Sequence, residues 1–294
     1  MSSPQDRSAA FAQERGKLWS VAYRMLGSRA DAEDAVQEAY LRWHGARVEE
    51  IRAPQAWLVT TTTRLCIDRL RQLRAEREHY TGPWLPEPLV GEAPPPADAA
   101  AELASDLSVA LLAVLERLAP EERAAFLLRE AFDVDYEQIA QALGKSEAAC
   151  RQIVSRAAKR VRAEKPRLHV SLDAKTRLLD QLARALQTHD QNALLEILAE
   201  DSSWISDGGG KQKAALKEVR GAAHVARFAV GVFRRIAPHT VFRAVNVNGE
   251  PGFAVFYEES LLTVLCINTD GRRIVDVYSI LNPDKLRGVH IAAR

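Results

Sequence analysis

The stretch YEQIAQALGKSEAACRQIVSRAAKRVR, residues 136–162, decides how the middle of this chain is read. Tyr136, Ile139, Ala140 and Leu143 fall on one helical face. Gly144 follows where the chain must turn, because a Cβ would crowd a backbone with positive φ. Ser146 is placed to cap a second helix. Cys150, Ile153, Val154, Ala157 and Val161 form that helix's inner face, and small Ala140 lets the two helices cross closely. Two short helices joined by a glycine turn make a helix-turn-helix, a motif whose second helix enters the major groove of DNA.

The outward face of the second helix carries Arg151, Ser155 and Lys159 at i, i+4 and i+8, flanked by Gln152, Arg156, Arg160 and Arg162. Residues 144–165 hold seven Lys/Arg and two Asp/Glu, a local balance of +5. Arginine and lysine neutralise phosphates, and Arg and Gln also hydrogen-bond base edges. A solvated face would explain a charge run alone. Agreement of turn glycine, cap and apolar register favours DNA, with Ser146, Arg151, Gln152, Ser155, Arg156, Lys159 and Arg160 as contacts.

The chain has 294 residues, enough for two or three domains. Its hydrophobic content of 47% supports real cores, and its net charge of +1 leaves the local distribution to decide on nucleic acid. Cys66, Cys150 and Cys266 lie far apart, without a C-x-x-C pair. That pattern suits a reducing cytoplasm and speaks against a disulfide framework or a cysteine metal site. No metal or other cofactor is expected. Neither a signal peptide nor a membrane-length apolar run is evident, so no membrane partner is expected.

Residues 11–79 show helical patterns. Leu18, Val21, Ala22, Met25 and Leu26 form a run ended by Gly27-Ser28. A second helix takes Asp31 as its N-cap, with Ala35, Val36, Ala39, Tyr40 and Trp43 on the apolar side. Asp31, Glu33, Asp34 and Glu38 crowd its start, where acids suit the helix dipole. Pro54 opens a third helix, on which Arg64, Arg69, Arg71, Arg74 and Arg77 recur after Trp57 and the run Thr60–Thr63. A basic helix beside aromatic and hydroxyl groups is a platform for a melted strand.

Residues 81–101, TGPWLPEPLVGEAPPPADAAA, hold six of the thirteen prolines and read as a semi-rigid linker. Helix resumes from Leu103 to Lys165. From Leu172 helical patterns run to Leu198. After the helix GAAHVARFAVGVFRRI come the short β-rich runs VFRAVNV, GFAVFYEE, LLTVLCIN and IVDVYSIL, with turns at Asn248-Gly249 and Asp270-Gly271. Helices followed by hairpins predict an α+β domain with an antiparallel sheet.

The segments D-A-E-D-A-V-Q-E-A-Y-L-R-W, P-Q-A-W-L and R-L-C-I-D-R-L-R resemble region 2 of the extracytoplasmic-function sigma factors of the sigma-70 family. The helix-turn-helix, preceded by LERLAPEERAAFLLREAFDVDY, resembles their region 4. The resemblance covers residues 8–165. It implies that Asp31, Asp34, Gln37, Glu38 and Trp43 dock on core RNA polymerase. It implies that the loop at 48–54 and the helix with Arg64, Asp68 and Arg71 handle the −10 element, and that region 4 reads the −35 element. Two modules on a linker reach two separated elements with raised effective concentration.

The C-terminal order of elements resembles the SnoaL-like fold, an α+β cone with a curved antiparallel sheet and an internal pocket. WLPEPL (84–89), DGGGK (207–211) and NPDKL (282–286) look like the signatures of the SigJ-type sigma subgroup, which carries a fused SnoaL-like extension. The expected organisation is therefore multidomain: two all-α sigma modules at 1–80 and 104–168, a linker at 81–103 with WLPEPL, and a SnoaL-like domain at 172–294.

Each motif also has a physical reading. Pro86 and Pro88 hold Leu85 and Glu87 extended, so Trp84, Leu85 and Leu89 can dock with little ordering entropy to lose. Gly208, Gly209 and Gly210 allow close approach of another chain segment, with Asp207 and Lys211 bracketing them. Asn282 reads as an N-cap, Pro283 as the first helical residue and Asp284 as a first-turn acid, followed by Lys285 and Leu286. The expected function is an alternative sigma factor, modulated through contacts of the extension with the sigma regions in place of a separate anti-sigma factor. A rival reading makes the extension a sensor or a cyclase- or isomerase-type enzyme. Trp204, Phe228, Phe242 and Tyr257 would line its pocket. Asp201, Asp207, His224, His239, Tyr257, Asp276 and Tyr278 are its polar candidates, with His224 expected in the core. No paired Asp/His motif stands out, and catalysis is not expected. Whether the pocket takes a small-molecule ligand is left open.

Overall fold

A computed structural model describes residues 4–46, 51, 53–91, 108–164, 170–236 and 239–291. They form two compact units, one drawn from 1–78 and 114–166, the other from 79–113 and 167–294. This division differs from the expected one. The linker travels with the C-terminal domain, and the two helical modules share a unit.

The first unit is helical. α1 (Pro4–Leu26), α2 (Arg29–Gly45) and α3 (Pro54–Arg77) pack on one another. Leu18, Val21, Ala22, Met25, Leu26, Ala39, Leu58 and Cys66 lie in their core. Ser28, and not Asp31, caps α2: its Oγ accepts from the Asp31 amide at 3.3 Å. Both residue types suit an N-cap, and the chain turns at Gly27, one residue before Ser28. Pro54 starts α3 as expected, where its missing N–H costs no helical bond.

α4 (Val109–Leu115) leads into α5 (Pro120–Glu130), α6 (Tyr136–Leu143) and α7 (Glu147–Glu164). Asp135 caps α6, accepting from Gln138 N at 2.8 Å. Gly144 ends α6 with φ 64° and ψ 37°, the left-handed conformation the turn requires. Ser146 Oγ then accepts from Ala149 N at 3.2 Å at the start of α7. Cys150, Ile153, Val154, Ala157 and Val161 are buried, in the expected register.

The second unit is α+β. α8 (Leu172–Thr188), α9 (Gln191–Ile197) and α10 (Ala222–Ile236) cover one face of a seven-stranded sheet. The strands are β1 (Val90–Gly91), β2 (Leu198–Asp207), β3 (Val219–Arg220), β4 (Thr240–Val247), β5 (Glu250–Tyr257), β6 (Ser260–Thr269) and β7 (Ile274–Ile280), in the order β1-β4-β5-β6-β7-β2-β3. The β4–β7 meander is antiparallel as expected. β2 pairs with β7 in parallel, so the sheet is mixed. β1 comes from the linker, pairing Val90 with Val247 and Gly91 with Asn246.

The helix-covered face is filled by apolar side chains. Trp204 meets Phe228 edge-on at 5.9 Å, and Phe242 packs on Phe233 and Phe253 at 5.5 and 5.8 Å. The opposite face carries Val245, Val247, Ala254, Phe256, Val264, Cys266 and Tyr278. Leu85 from the linker, Val109 and Ala110 from α4, and Leu286 from α11 (Pro283–Leu286) cover it. The readings placed on residues 92–107, including the proline cluster and the helix start at Leu103, lie outside the described residues.

Candidate functional site

Three exposed helix surfaces and one buried cluster of motifs emerge as candidates. The first is α7. Burial of its apolar face leaves Arg151, Gln152, Ser155, Arg156 and Lys159 exposed together. Arg151 lies over the Tyr136 ring at 4.8 Å and pairs with Glu147 at 2.8 Å. Arg156 and Lys159 have no ion pair among the described residues. Arg160 points elsewhere: it pairs with Glu122 at 2.8 Å and donates to Arg117 O at 2.9 Å, holding α7 to the start of α5. Ser146 is exposed but its hydroxyl serves the helix cap.

The second surface runs along α3, where Arg64, Asp68, Arg71 and Arg74 are exposed. Arg64 Nε donates to Ala142 O at 3.1 Å, and a second nitrogen reaches Gln141 O. Those carbonyls end α6, where a cation meets the negative end of the helix dipole. Arg71 pairs with Asp68 and Glu121, each at 3.0 Å. Glu121 also holds Lys145 at 3.1 Å. Beneath them, buried Arg123 donates to Met25 O at 2.6 Å and to Glu116, which also pairs with Arg77. α3 is thus bonded to α5 and α6 through two of the residues expected to meet DNA, Arg64 and Arg71. Arg74 stays without such a partner among the described residues. One expectation needs correction and another is not reached. Thr62 and Thr63 are buried, so half of the threonine run is core. The loop at 48–54 falls largely outside the described residues.

On α2, Asp34 and Gln37 are exposed, and Glu38 pairs with Arg42 at 2.9 Å. Asp31 is tied to Arg69 at 2.8 Å. Trp43 is corrected from surface contact to core. It is 1% exposed, its Nε1 donates to Arg7 O at 3.0 Å, and its ring lies against Trp57. The apolar group this face does present is Leu41, 57% exposed and one and two turns on from Gln37 and Asp34. Leu41 was not among the residues expected to dock. An isolated leucine out of phase with the buried positions was the available signal.

The buried cluster joins the WLPEPL, DGGGK and NPDKL motifs within the second unit. Asp207 ends β2 and is 0% exposed. Its carboxylate accepts from Tyr80 OH at 2.6 Å, Leu85 N at 2.8 Å, Gly209 N at 3.1 Å and Lys285 Nζ at 2.6 Å. Four donors satisfy a buried charge that would otherwise be prohibitive. Lys285 also donates to Leu85 O and lies 4.0 Å above the Trp84 ring. Asn282 caps α11, accepting from Asp284 N at 3.0 Å, and its amide donates to Tyr80 OH at 2.9 Å. Pro86 and Pro88 are buried beside Leu85, and Glu87 is half-buried. Leu89 and Asn248 exchange two hydrogen bonds at 2.8 and 2.9 Å, which leads the linker into β1.

The glycines have distinct work. A Cβ on Gly208 would lie 2.3 Å from Gln212 O, and one on Gly209, at φ 59°, 2.2 Å from the Asn282 amide. Gly210 packs against Thr81. Lys211 pairs with Asp284, and that ammonium holds the Asp284 carboxyl below the usual carboxylate range. Leu286 is buried on the sheet.

The enzyme candidates disperse. Asp207 is spent on the linker. Asp276 bonds Ser203 at 2.7 Å, Asn268 at 2.9 Å and Tyr278 at 3.3 Å, and Tyr278 faces the linker-covered side of the sheet. His224 is exposed on α10, against the expectation of a core position, and His239 and Asp201 are exposed too. Tyr257 meets the His239 ring edge-on at 6.3 Å. Burial pushes the Cys66 and Cys266 thiols up, so they stay protonated. No described helix is long and apolar enough to cross a membrane.

Comparison with known proteins agrees with this geometry. Residues 10–76 match the sigma-70 region 2 family and residues 108–161 the sigma-70 region 4 family. The chain is 38% identical to the extracytoplasmic-function sigma factor SigJ of Mycobacterium tuberculosis, over 97% of this chain and 94% of that one. It is 31% identical to a probable extracytoplasmic-function sigma factor, SigI, of the same species, over 97% of each. The crystal structure of Mycobacterium tuberculosis SigJ superposes with a TM-score of 0.75 at 35% identity, covering 96% of this chain and 98% of that one. The C-terminal sheet domain is part of that match. The chain therefore belongs to the extracytoplasmic-function RNA polymerase sigma factors of the sigma-70 family.

Proposed function

We propose that this sigma factor recruits core RNA polymerase to a specific set of promoters by dividing the work among its three surfaces. The face of α2 with Asp34, Gln37, Glu38 and Leu41 docks on the polymerase. α3 handles the −10 element through Arg64, Asp68, Arg71 and Arg74. α7 reads the −35 element through Arg151, Gln152, Ser155, Arg156 and Lys159. Such a protein works in the cytoplasm, on DNA. The observation that carries the DNA reading is the geometry of Gly144 and Ser146, which turns the cationic face of α7 outward.

The C-terminal domain is a built-in regulator and not a catalyst. Its helix-covered face is packed with aromatic rings, and its buried carboxylate is committed to the linker. The linker joins the two DNA modules in sequence. Pinning it to the sheet limits how the modules separate, so the pinned and released states differ in contact free energy, as any such control requires. The bonds of Arg64 and Arg71 to region 4 mark the arrangement that must open before α3 meets DNA.

Run-off transcription with core polymerase tests this reading. The double variant Tyr80→Phe/Trp84→Ala removes one donor to Asp207 and the ring beneath Lys285 while leaving the ion pair. It is expected to raise transcript yield about fivefold, a typical size for coupling between sites. Unchanged yield from a folded variant that still binds core polymerase would remove the regulatory role.

A further inference from the structure

The segment from Val219 to Gly249 contains no Asp or Glu, yet carries Arg220, Arg227, Arg234, Arg235 and Arg243. Most of it forms α10 and β4. α10 buries Val225, Ala226, Ala229, Val230 and Phe233 against the sheet. Its outward side therefore carries His224, Arg227, Gly231, Arg234 and Arg235, all exposed. Among the described residues the side chains of Arg227, Arg234 and Arg235 make no ion pair or hydrogen bond. Arg234 and Arg235 lie in the last turn, where the helix dipole alone favours cations. That explanation does not reach Arg227, two turns earlier.

Nor does it reach Gly231. Glycine inside a helix costs about 1 kcal/mol relative to alanine. Nothing lies within 4 Å of the position its Cβ would take, and its φ is not positive. Neither the packing nor the backbone of this chain uses the missing side chain. A bare backbone between cations lets a broad anionic surface come close. Arg227 and Arg234 are seven residues apart, roughly 10 Å along the axis. One DNA strand presents a phosphate about every 3.4 Å of helix axis, so the stripe spans about three of them. Arginines at this spacing match successive phosphates, which suits contact with the backbone. For a sigma factor the polyanion at hand is promoter duplex.

We propose that the outward face of α10, made of His224, Arg227, Gly231, Arg234 and Arg235, is a third DNA contact, gripping the phosphate backbone of duplex promoter DNA without reading its sequence. The test uses the full chain assembled with core polymerase and a promoter duplex, with affinity measured across a series of salt concentrations. The triple variant R227A/R234A/R235A is expected to flatten the slope of log K against log salt by about 2 to 3, near 0.9 per phosphate released. Affinity should fall on the order of tenfold at moderate salt, equally for cognate and scrambled promoters. Gly231→Glu improves helix propensity and so keeps the fold, and it should weaken binding in the same direction. Core-polymerase affinity should not change in either variant. An unchanged slope and affinity in both variants would overturn the proposal. So would lost core-polymerase binding with the DNA slope intact, which would assign the face to an acidic protein surface.

Discussion

Lys285 and Arg156 are both cations on helices, but they live in opposite surroundings. Lys285 is shut between Trp84, Tyr80, Leu85 and the buried carboxylate of Asp207. Arg156 stands in solvent on a face whose apolar underside does the packing. The contrast separates two uses of charge. A buried pair fixes where a chain segment lies, and losing one partner strands the other. An exposed array contributes little to stability and keeps its electrostatics for a partner. The linker site is thus expected to respond in stability, and α7 in binding.

The sharpest way to break that contrast is Lys285→Met, which leaves Asp207 buried and short of a donor. Thermal or denaturant unfolding should show a loss of about 3–5 kcal/mol from the C-terminal unit. A loss below about 1 kcal/mol would mean the carboxylate is not dependent on the lysine. Next in size is Gly209→Ala, which forces a side chain into φ 59° and onto the Asn282 amide. Its expected cost is about 1–3 kcal/mol in the same unfolding measurement.

On the α7 side the signs reverse. R151A/R156A should leave stability within about 0.5 kcal/mol, while each lost contact weakens promoter binding by about 1–3 kcal/mol if it reads a base. Glu121→Ala removes the pairs to Lys145 and Arg71, leaving Arg71 only its neighbour Asp68. Because these pairs are partly exposed, each is worth at most about 1 kcal/mol. With two such pairs, DNA binding by the free chain should therefore rise by less than about thirtyfold in a gel-shift titration. The smallest effect concerns Lys211 and Asp284. The carboxyl is depressed in the folded chain, so its contribution is full above the ordinary Asp range near about pH 4. It fades as pH falls through the lower native value. Lys211→Ala should reduce that acid-side decline in an unfolding series against pH, with the Arg287 pair to the same carboxyl remaining.

Much of the first unit was legible because its signals are local. Gly144, Ser146 and the spacing from Cys150 to Val161 lie within one stretch, and each constrains the same turn. The phase of a helix was less secure at its margins. Trp43 and Leu41 are two residues apart on α2, and their large side chains look alike in sequence, yet one is core and the other exposed. His224 was misplaced for the same reason, since it borders Val225 and Ala226 on the buried face. Ser28 and Asp31 compete for one cap, and the turn at Gly27 settles it.

What the sequence left hidden was pairing at a distance. The four antiparallel strands were visible from their turns. The parallel match of β2 with β7 joins segments some seventy residues apart, with no turn to announce it. β1 is only two residues from the linker, and its partner in β4 lies far along the chain. WLPEPL, DGGGK and NPDKL were each recognisable, but their meeting on Asp207 follows from the fold of the sheet and not from any spacing.

The most direct test of the account is promoter discrimination by the assembled holoenzyme. Wild-type chain and R151A/R156A would each be titrated against a cognate duplex and one with the −35 element scrambled. The account predicts clear preference for the cognate duplex in the wild type and little or none in the variant, with core-polymerase binding intact in both. Full preference retained by the variant would contradict it.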